Sequence, residues 1–363
     1  MGRTTMANHE LRRGWTTGAC ATAAVKAAFT ALLTGDFPDP VTITLPGGET
    51  PAFPLALEGK GENWAEAGVI KDAGDDPDVT HGAMIVACVR LAGPGTGVRF
   101  KAGKGVGTVT RAGLPVKPGE PAINPVPRQM MRAVVEDLAS AHDAPSDVEI
   151  EIAIPGGEAL ADKTWNPRLG IKGGLSILGT TGIVKPFSCA AWIASIHRGI
   201  DVARAAGFTH IAGATGSTSE AAVKRLYQLP LEALIDMGDF VGGMLKYIRE
   251  HPVPRVTVAG GFGKITKMAQ GAMDLHSGRS QVDFDWLAAR LLALGGGDES
   301  ASQMRRANTA MEAEAMARAI SLPLADDVAR GAREAGIAML RGADVALDIV
   351  VVDRSGQVIG HAG

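Results

Sequence analysis

Aromatic residues are scarce in this chain, where only 4% of the 363 residues are Phe, Trp or Tyr. Proteins that bind single-stranded nucleic acid stack bases on aromatic faces beside basic grooves. The formal net charge of −3 also gives no general attraction for polyanions. The composition therefore argues against a nucleic-acid partner.

Cysteine is equally rare, and Cys20, Cys88 and Cys189 lie far apart with no C-x-x-C pair among them. Three cysteines cannot build a tetrathiolate metal site, and they imply no disulfide framework. We interpret them as small buried hydrophobic residues in a reducing compartment. The sequence predicts no metal held by the protein.

Long hydrophobic runs are also missing. The first thirty residues lack the apolar core and cleavage pattern of a signal peptide. No stretch approaches the roughly 20 apolar residues that a membrane span needs. We therefore expect a cytoplasmic chain with no membrane partner. The oligomeric state stays open, with a homo-oligomer among the alternatives.

Glycine, by contrast, is plentiful at 47 residues. The predicted helices and strands that lie between the glycine-rich turns follow a different order in each half of the chain. Over residues 1–180, helices alternate with hairpins, which predicts an α+β, hairpin-rich domain. Its first helix begins near Thr16 or Thr17, with Thr17 as a plausible N-cap, and stops at Gly35. Over residues 181–363, apolar strands alternate with helices, which predicts a parallel, Rossmann-like α/β domain.

Two strand-to-helix loops of the second domain are small and rich in glycine. Ligands bind at the carboxyl ends of parallel strands, and free N–H groups at a helix start favour carboxylate or phosphate oxygens. A nucleoside with a charged tail, such as S-adenosylmethionine, suits these loops, and so would NAD or ATP. Neither loop is a full G-x-G-x-x-G or a G-x-x-x-x-G-K-[ST] motif, so structural turns are the alternative. The predicted cofactor-binding residues are Gly213, Thr215, Gly216, Ser217, Gly260, Gly261 and Gly263.

The segment 166–182 is the richest stretch of glycine and hydroxyl residues in the chain. It lies at the predicted domain junction, where ligand sites are common, and a simple crossover between domains is the alternative. Gly179, Thr180 and Thr181 are its predicted cofactor-binding residues.

The run 71–82 places four aspartates and a histidine close together. Clustered carboxylates raise one another's pKa, so that one could act as a base. Asp72, Asp75, Asp76 and His81 form the candidate catalytic group. Cation binding and a solvated turn capped by Asp side chains are the alternatives.

Several segments in this order resemble one family, the cobalt-precorrin-5B C-1-methyltransferases of CbiD type in anaerobic cobalamin biosynthesis. The resemblance begins with the opening motif L-R-R-G-W-T-T-G-A-C-A of residues 11–21 and continues along nearly the whole chain. Its further segments are residues 71–82, 124–128, 166–184, 238–242 and 260–267, then His276-Ser277, then 308–310.

The resemblance implies methyl transfer from S-adenosylmethionine to C-1 of a corrin-ring precursor, a tetrapyrrole that carries its own cobalt. Because that substrate bears acetate and propionate groups, Lys and Arg side chains should bind them. The predicted substrate-binding residues are Thr16, Thr17, Lys104, Arg111, Lys117, Arg128, Arg168, Lys172, His276 and Ser277. The alternatives are a nucleotide-dependent kinase or dehydrogenase, and a non-catalytic corrinoid-binding scaffold.

Overall fold

The computed structural model describes residues 11–363, and the chain divides between Ser188 and Cys189 into two compact units. Both units mix helices with strands, so the chain is a mixed α/β protein. The assignment of residues 1–180 and 181–363 to separate domains stays a prediction.

The first helix is the core of the first unit. Thr16 caps it, because its Oγ1 accepts a hydrogen bond of 3.2 Å from the Ala19 N–H, and Gly35 ends it in the left-handed conformation. The predicted stop is confirmed, whereas the predicted cap at Thr17 is wrong by one residue. This helix is also long and apolar enough to cross a membrane by length and composition alone, contrary to our expectation. Most of it is buried among the strands and the second helix of its own unit, as in the core helix of a soluble protein.

A five-stranded sheet forms the rest of this core. Its order is β4-β5-β6-β10-β7, with antiparallel pairs except for the parallel β10–β7 pair. The unit's elements are β1 (Gly14–Trp15), α1 (Thr17–Thr34), β2 (Val41–Thr42), β3 (Ala52–Phe53), β4 (Leu57–Lys60), β5 (Trp64–Ile70), β6 (Met84–Leu91), β7 (Val98–Ala102), β8 (Gly105–Val106), β9 (Thr108–Val109), α2 (Pro125–Ala141), β10 (Val148–Ala153), α3 (Gly157–Ala161), β11 (Ile171–Lys172), β12 (Gly174–Leu175) and β13 (Ile183–Val184).

Three short strand pairs bind the glycine-rich segment 166–184 to the rest of this unit. They are β1–β13, β8–β12 and β9–β11. Gly105 is needed there, because its φ is +78° and a Cβ would lie 1.9 Å from the carbonyl oxygen of Ile154. A backbone this close to another backbone admits only glycine.

The second unit is built on a sheet in the order β15-β14-β16-β17-β18. Its first four strands are parallel and β18 is antiparallel. Its elements are α4 (Cys189–Ala205), β14 (His210–Ala214), α5 (Ser217–Tyr227), β15 (Leu234–Asp236), α6 (Val241–Glu250), β16 (Arg255–Gly261), α7 (Phe262–Ala269), α8 (Phe284–Ala293), α9 (Asp298–Arg305), α10 (Ala310–Ala319), α11 (Leu324–Leu340), β17 (Ala346–Val352) and β18 (Val358–Ala362), with a 3-10 turn at Leu231–Ala233.

The alternation of strands with helices is confirmed here, and β17 is buried along nearly its whole length as a central parallel strand should be. One detail of the prediction is wrong, because the glycine-rich loop expected around Gly260, Gly261 and Gly263 is no loop. Gly260 and Gly261 end β16, and α7 starts at Phe262 without an intervening turn.

Candidate functional site

The carboxyl edge of the parallel sheet brings the predicted cofactor residues of the second unit together. The last residue of β14, Ala214, pairs with Asp236 on one side and with Ala259 on the other. The chain leaves β14 toward β15 and then returns past it to β16, so β14 and β16 flank the point where the strand order reverses. Open α/β sheets bind ligands at this crevice.

Two glycines leave this edge open. A Cβ on Gly216 or on Gly261 would meet no atom within 4 Å. Gly216 precedes α5 and Gly261 precedes α7, and neither helix has a side chain that caps its first N–H groups. These N–H groups and the open space before them fit a small ligand with a carboxylate.

The other predicted glycines owe their lack of a side chain to packing. A Cβ on Gly213 would lie 2.4 Å from Met244 Sδ, and one on Gly260 would lie 2.9 Å from Thr215 Cγ2. A Cβ on Gly263 would lie 3.3 Å from Ala310 Cβ, which is a looser contact. The structure thus favours a structural role for Gly213, Gly260 and Gly263, and a ligand role for them stays a prediction.

Lys264 ties the neighbouring strand ends together. Its Nζ lies 2.9 Å from Asp239 Oδ1, and it donates a hydrogen bond of 3.0 Å to the Thr215 carbonyl. Thr215 follows β14, Asp239 follows β15, and Lys264 lies in the first turn of α7. The lysine therefore fixes the loops that surround the open glycines.

The predicted substrate residues His276 and Ser277 lie in an exposed turn beside this edge. The Leu275 N–H donates to the Asp239 carbonyl at 2.9 Å, which joins the turn to the loop after β15. His276 Nδ1 accepts from the Gly278 N–H at 3.1 Å. The ring is thereby oriented with its neutral form protonated on Nε2, and that form can still donate a hydrogen bond.

In the first unit, the aspartates of the run 71–82 hold chain segments in place. Asp75 accepts a hydrogen bond from the Arg12 N–H at 2.6 Å, and Asp76 accepts one from the Phe187 N–H at 2.8 Å. Asp72 binds the Arg12 guanidinium through both carboxylate oxygens. The hydrogen bonds from Arg12 and from the Gly74 N–H lower the pKa of Asp72 to about 2.

These contacts bear on the choice of a base. A carboxylate whose pKa is about 2 accepts protons poorly at neutral pH, so the structure does not support Asp72 in that role. His81 is exposed, and its Nδ1 accepts from the Ala73 N–H at 3.1 Å. Base roles for Asp75, Asp76 and His81 stay predictions.

The same run contains an ion pair with a buried lysine, which sequence reasoning missed. Lys71 is 1% exposed, and its Nζ lies 2.7 Å from Asp78 Oδ2. Burial alone would raise the pKa of Asp78, but hydrogen bonds from Lys71 and Thr80 outweigh it and lower that pKa. The one sign of this burial in the sequence was that Lys71 directly follows the apolar residues Val69 and Ile70 of β5.

Thr16 and Thr17 are buried and engaged within the chain. The Thr17 hydroxyl accepts from the Leu178 N–H at 3.0 Å, and Thr16 Oγ1 would lie 2.3 Å from a Cβ on Gly179. They hold the segment 176–182 against the start of α1 rather than presenting hydroxyls to a surface. Thr180 and Thr181 on this segment are exposed.

Basic side chains gather around the short strand pairs of the first unit. Lys172 of β11 pairs in register with Thr108, and Gly170 lies against the Arg111 side chain. Lys104 adjoins Gly105, which pairs with Gly174 of β12. Arg168 precedes the same strands by three residues. Lys104, Arg111, Arg168 and Lys172 thus lie on or near the β8–β12 and β9–β11 strand pairs in the chain, and a shared role in substrate binding stays a prediction.

Arg128 makes several hydrogen bonds within the chain. It donates hydrogen bonds to Glu120 Oε2 at 2.7 Å and to the carbonyls of Ile123 and Pro121 at 2.7 and 3.0 Å. Its guanidinium also lies over the Phe100 ring. Lys117 is exposed in the preceding turn. Arg128 fixes the entry of α2, and its substrate role stays a prediction.

Comparisons with known proteins agree across the chain. The family model described as CbiD matches residues 4–186, and the model of the CbiD C-terminal domain matches residues 274–363. A cobalt-precorrin-5B C(1)-methyltransferase of Brucella anthropi is 61% identical over 97% of this chain and 96% of its own length. The enzyme of that name from Paramagnetospirillum magneticum is also 61% identical, over 97% of this chain and 98% of its own.

A crystal structure of the cobalamin biosynthesis protein (cbiD) from Archaeoglobus fulgidus is 28% identical to this chain. It aligns with a TM-score of 0.40 over 74% of this chain and 83% of its own.

The match of both family models and the identity of about 60% over nearly the full length of the relatives lead to one conclusion. The chain belongs to the CbiD family.

Proposed function

We propose that this chain methylates C-1 of cobalt-precorrin-5B, a cobalt-bearing corrin-ring precursor, with S-adenosylmethionine as the methyl donor. The observation that carries the proposal is the near-complete alignment, at 61% identity, with relatives that bear this activity in their names. The kinase and dehydrogenase alternatives lack this support. The enzyme works in the cytoplasm under this proposal.

The carboxyl edge of the second unit fits the donor. We assign its carboxylate to the first N–H groups of α5 and α7, because open glycines precede both helices and no side chain caps them. The sheet order supports the finer fold assignment of a Rossmann-like domain, since the open glycines flank its point of reversal. Thr215, Gly216, Ser217 and Gly261 are the cofactor residues of this proposal.

The donor supplies a sulfonium methyl that is already activated for transfer. The protein's contribution is therefore mainly to hold the two reactants in line, which can lower a barrier by about 7–11 kcal/mol. Lys264 serves this end by immobilising Thr215 and Asp239. In the first unit, Lys104, Arg111, Arg168 and Lys172 bind the carboxylates of the tetrapyrrole.

A proton acceptor near C-1 would complete the reaction. Among the predicted candidates we favour His81, because it is exposed and a backbone N–H orients its ring. The hydrogen bonds from Arg12 lower the pKa of Asp72, which makes it a poor proton acceptor. Asp75 and Asp76 remain in the candidate group.

Titration calorimetry tests the donor site. S-adenosylhomocysteine should bind the full chain at about one per chain, while ATP and NAD give no heat. If it fails to bind both alone and with the tetrapyrrole present, the methyltransferase proposal is wrong. Single-turnover transfer of a labelled methyl group to cobalt-precorrin-5B tests the reaction itself, and the His81→Ala variant should slow that step.

A further inference from the structure

A cavity of about 570 Å³ lies beside the first turns of α2 in the first unit. Its volume falls within the range of pockets that hold small molecules. One part of its lining is apolar and consists of Pro115, Val116 and Pro125, and another part carries the side chains of Arg128 and Arg132. Such a lining fits a ligand that has a hydrocarbon stem and an acidic end.

The two arginines of this cavity lie against one aromatic ring. The guanidinium of Arg128 is 5.5 Å from the centroid of the Phe100 ring, and that of Arg132 is 5.1 Å from it. Phe100 belongs to β7, which pairs with β10 in the five-stranded sheet. The ring therefore restrains both cationic groups against a strand. A guanidinium that stacks on a ring keeps the N–H groups on its edges available for hydrogen bonds.

The charges of the two arginines are balanced differently. Arg128 forms an ion pair with Glu120 at 2.7 Å and donates to two backbone carbonyls. Within residues 11–363, the side chain of Arg132 forms no hydrogen bond and no ion pair. Glu136 also lines the cavity one helical turn further along α2, yet it does not pair with this guanidinium. Arg132 thus presents an unpaired cation whose N–H groups can bind an acid.

The loop that supplies the apolar lining also packs against the short strand pairs of this unit. Val116 lies in a small hydrophobic cluster with Val109 of β9 and Ile171 of β11. Lys172, one of the basic residues predicted to bind the tetrapyrrole, directly follows Ile171 in β11. One packed loop therefore connects the cavity with that strand pair, which favours the same substrate at both places.

We propose that this cavity binds an acetate or propionate side chain of the tetrapyrrole. Arg132 binds the carboxylate, and Pro115, Val116 and Pro125 surround the methylene groups. Glu136 competes with the substrate for the Arg132 guanidinium, so removal of its charge strengthens binding. This inference rests on the proposed function and deepens it by naming a residue and a cavity for one acidic side chain of the substrate.

The test is steady-state methyl transfer to cobalt-precorrin-5B by the full chain, with KM and kcat measured for each variant. Arg132→Met removes the charge and keeps much of the stem, and it should raise KM roughly 10-fold because a charged hydrogen bond is lost. The value of kcat should change little, since the contact is equally strong in the ground state and the transition state. Glu136→Gln should lower KM. A general disturbance of α2 would not produce these opposite effects.

Two further variants control for charge and for stacking. Arg132→Lys restores the positive charge and should recover part of the lost affinity. Arg90→Met is the matched control, because Arg90 is also exposed and its guanidinium also lies over a ring, 5.9 Å from the Trp64 centroid, but outside the cavity. Its KM should equal that of the unsubstituted chain. Thermal unfolding of each variant confirms that it is folded.

The proposed function and this inference fail differently. If the unsubstituted chain transfers no methyl group to cobalt-precorrin-5B, the proposed function is wrong and the assignment of this cavity falls with it. If transfer is normal and a folded Arg132→Met variant keeps the same KM, the assignment alone is wrong. An equal rise of KM in Arg132→Met and Arg90→Met, or a higher KM in Glu136→Gln, would also overturn the assignment.

Discussion

Lys264 Nζ lies 2.9 Å from Asp239 Oδ1 and also donates to the Thr215 carbonyl. One amino group thus joins three successive strand ends at the carboxyl edge of the parallel sheet. Thr215, Asp239 and Lys264 thus form a connected rim around the open glycines Gly216 and Gly261. Without the lysine, the loops that carry Thr215 and Asp239 would be less constrained.

Replacing this lysine should loosen the rim. We expect Lys264→Met to weaken binding of S-adenosylhomocysteine by roughly 10-fold. Without the lysine the loops become ordered only when the ligand binds, and this ordering reduces the free energy of binding. Calorimetry of this variant beside Lys246→Met, which alters an exposed lysine on α6, measures the effect. Equal affinity in the two variants would show that the rim does not contribute to binding.

The space before α5 offers a sharper test. Gly216 has extended backbone and no atom within 4 Å of a Cβ position, so valine can replace it with little loss of stability. Its side chain should nevertheless fill the donor site and abolish binding of S-adenosylhomocysteine. Gly297→Val alters an equally open N-cap glycine, at α9, and should leave binding unchanged. Retained affinity in a folded Gly216→Val protein would place the donor elsewhere.

The ion pair between the buried Lys71 and the half-buried Asp78 predicts a large loss of stability when Asp78 is truncated. Asp78→Ala leaves the Lys71 ammonium buried without a counter-charge, which should cost about 3–5 kcal/mol in the free energy of unfolding. Urea denaturation gives this value. The control is Glu151→Ala, which removes the partner of the exposed Lys101 and should change little. A similar small effect for Asp78→Ala would mean that water reaches the Lys71 amino group.

The buried Glu314 of α10 should make the free energy of unfolding depend on pH. Burial raises the pKa of its carboxyl, despite the Arg318 guanidinium 3.7 Å away. The folded state therefore binds this proton more tightly than the unfolded state, and the resulting stability is present below the unfolded pKa and is lost as pH rises through the folded value. Glu314→Gln should then be more stable than the unsubstituted chain at pH 8, with the advantage disappearing near pH 4.

Urea unfolding at several pH values tests this. Glu312→Gln is the control, because Glu312 accepts a hydrogen bond from the Asn308 N–H at 2.7 Å and is not deeply buried. It should show no such gain at high pH. A Glu314→Gln variant that is less stable at every pH would indicate that the ionised carboxylate is needed in the fold.

The stability that Asp72 contributes depends on pH in the opposite direction, because it is lost at acid pH. Its pKa is lowered to about 2 from 3.8, so the stability it contributes is present above 3.8 and is lost as pH falls toward 2. Arg12→Met should remove the principal cause of that shift and move the acid-unfolding midpoint to higher pH, as circular dichroism would show. Arg13→Met serves as the control. Unchanged midpoints in both variants would show that the Arg12–Asp72 contact adds no stability in solution.

Much of the secondary structure was predictable because it depends on local pattern. The helix from Thr17 to Thr34 and its stop at Gly35 follow from apolar spacing and the left-handed tolerance of glycine. Strand β17 follows from a nearly continuous apolar run that only Asp348 interrupts. Such features are local, because a helix face or a buried strand needs only its own residues to be recognised.

The short strands of the segment 166–184 and the antiparallel strand β18 escaped prediction. The short strands have only two residues each and pair with distant segments, as Ile171 pairs with Val109, whereas β18 pairs with the neighbouring strand β17. Residues with weak local preference adopt the conformation that the partner imposes.

The sequence by itself determined the family, the mixed α/β class and the two glycine-rich places where strands meet helices. Only the tertiary structure decided which glycines are open and which are packed, and which acids hold chain segments together. Gly216 and Gly213 look alike in the sequence, yet one faces empty space and the other faces Met244. That difference arises from atoms many residues away, which no local pattern specifies.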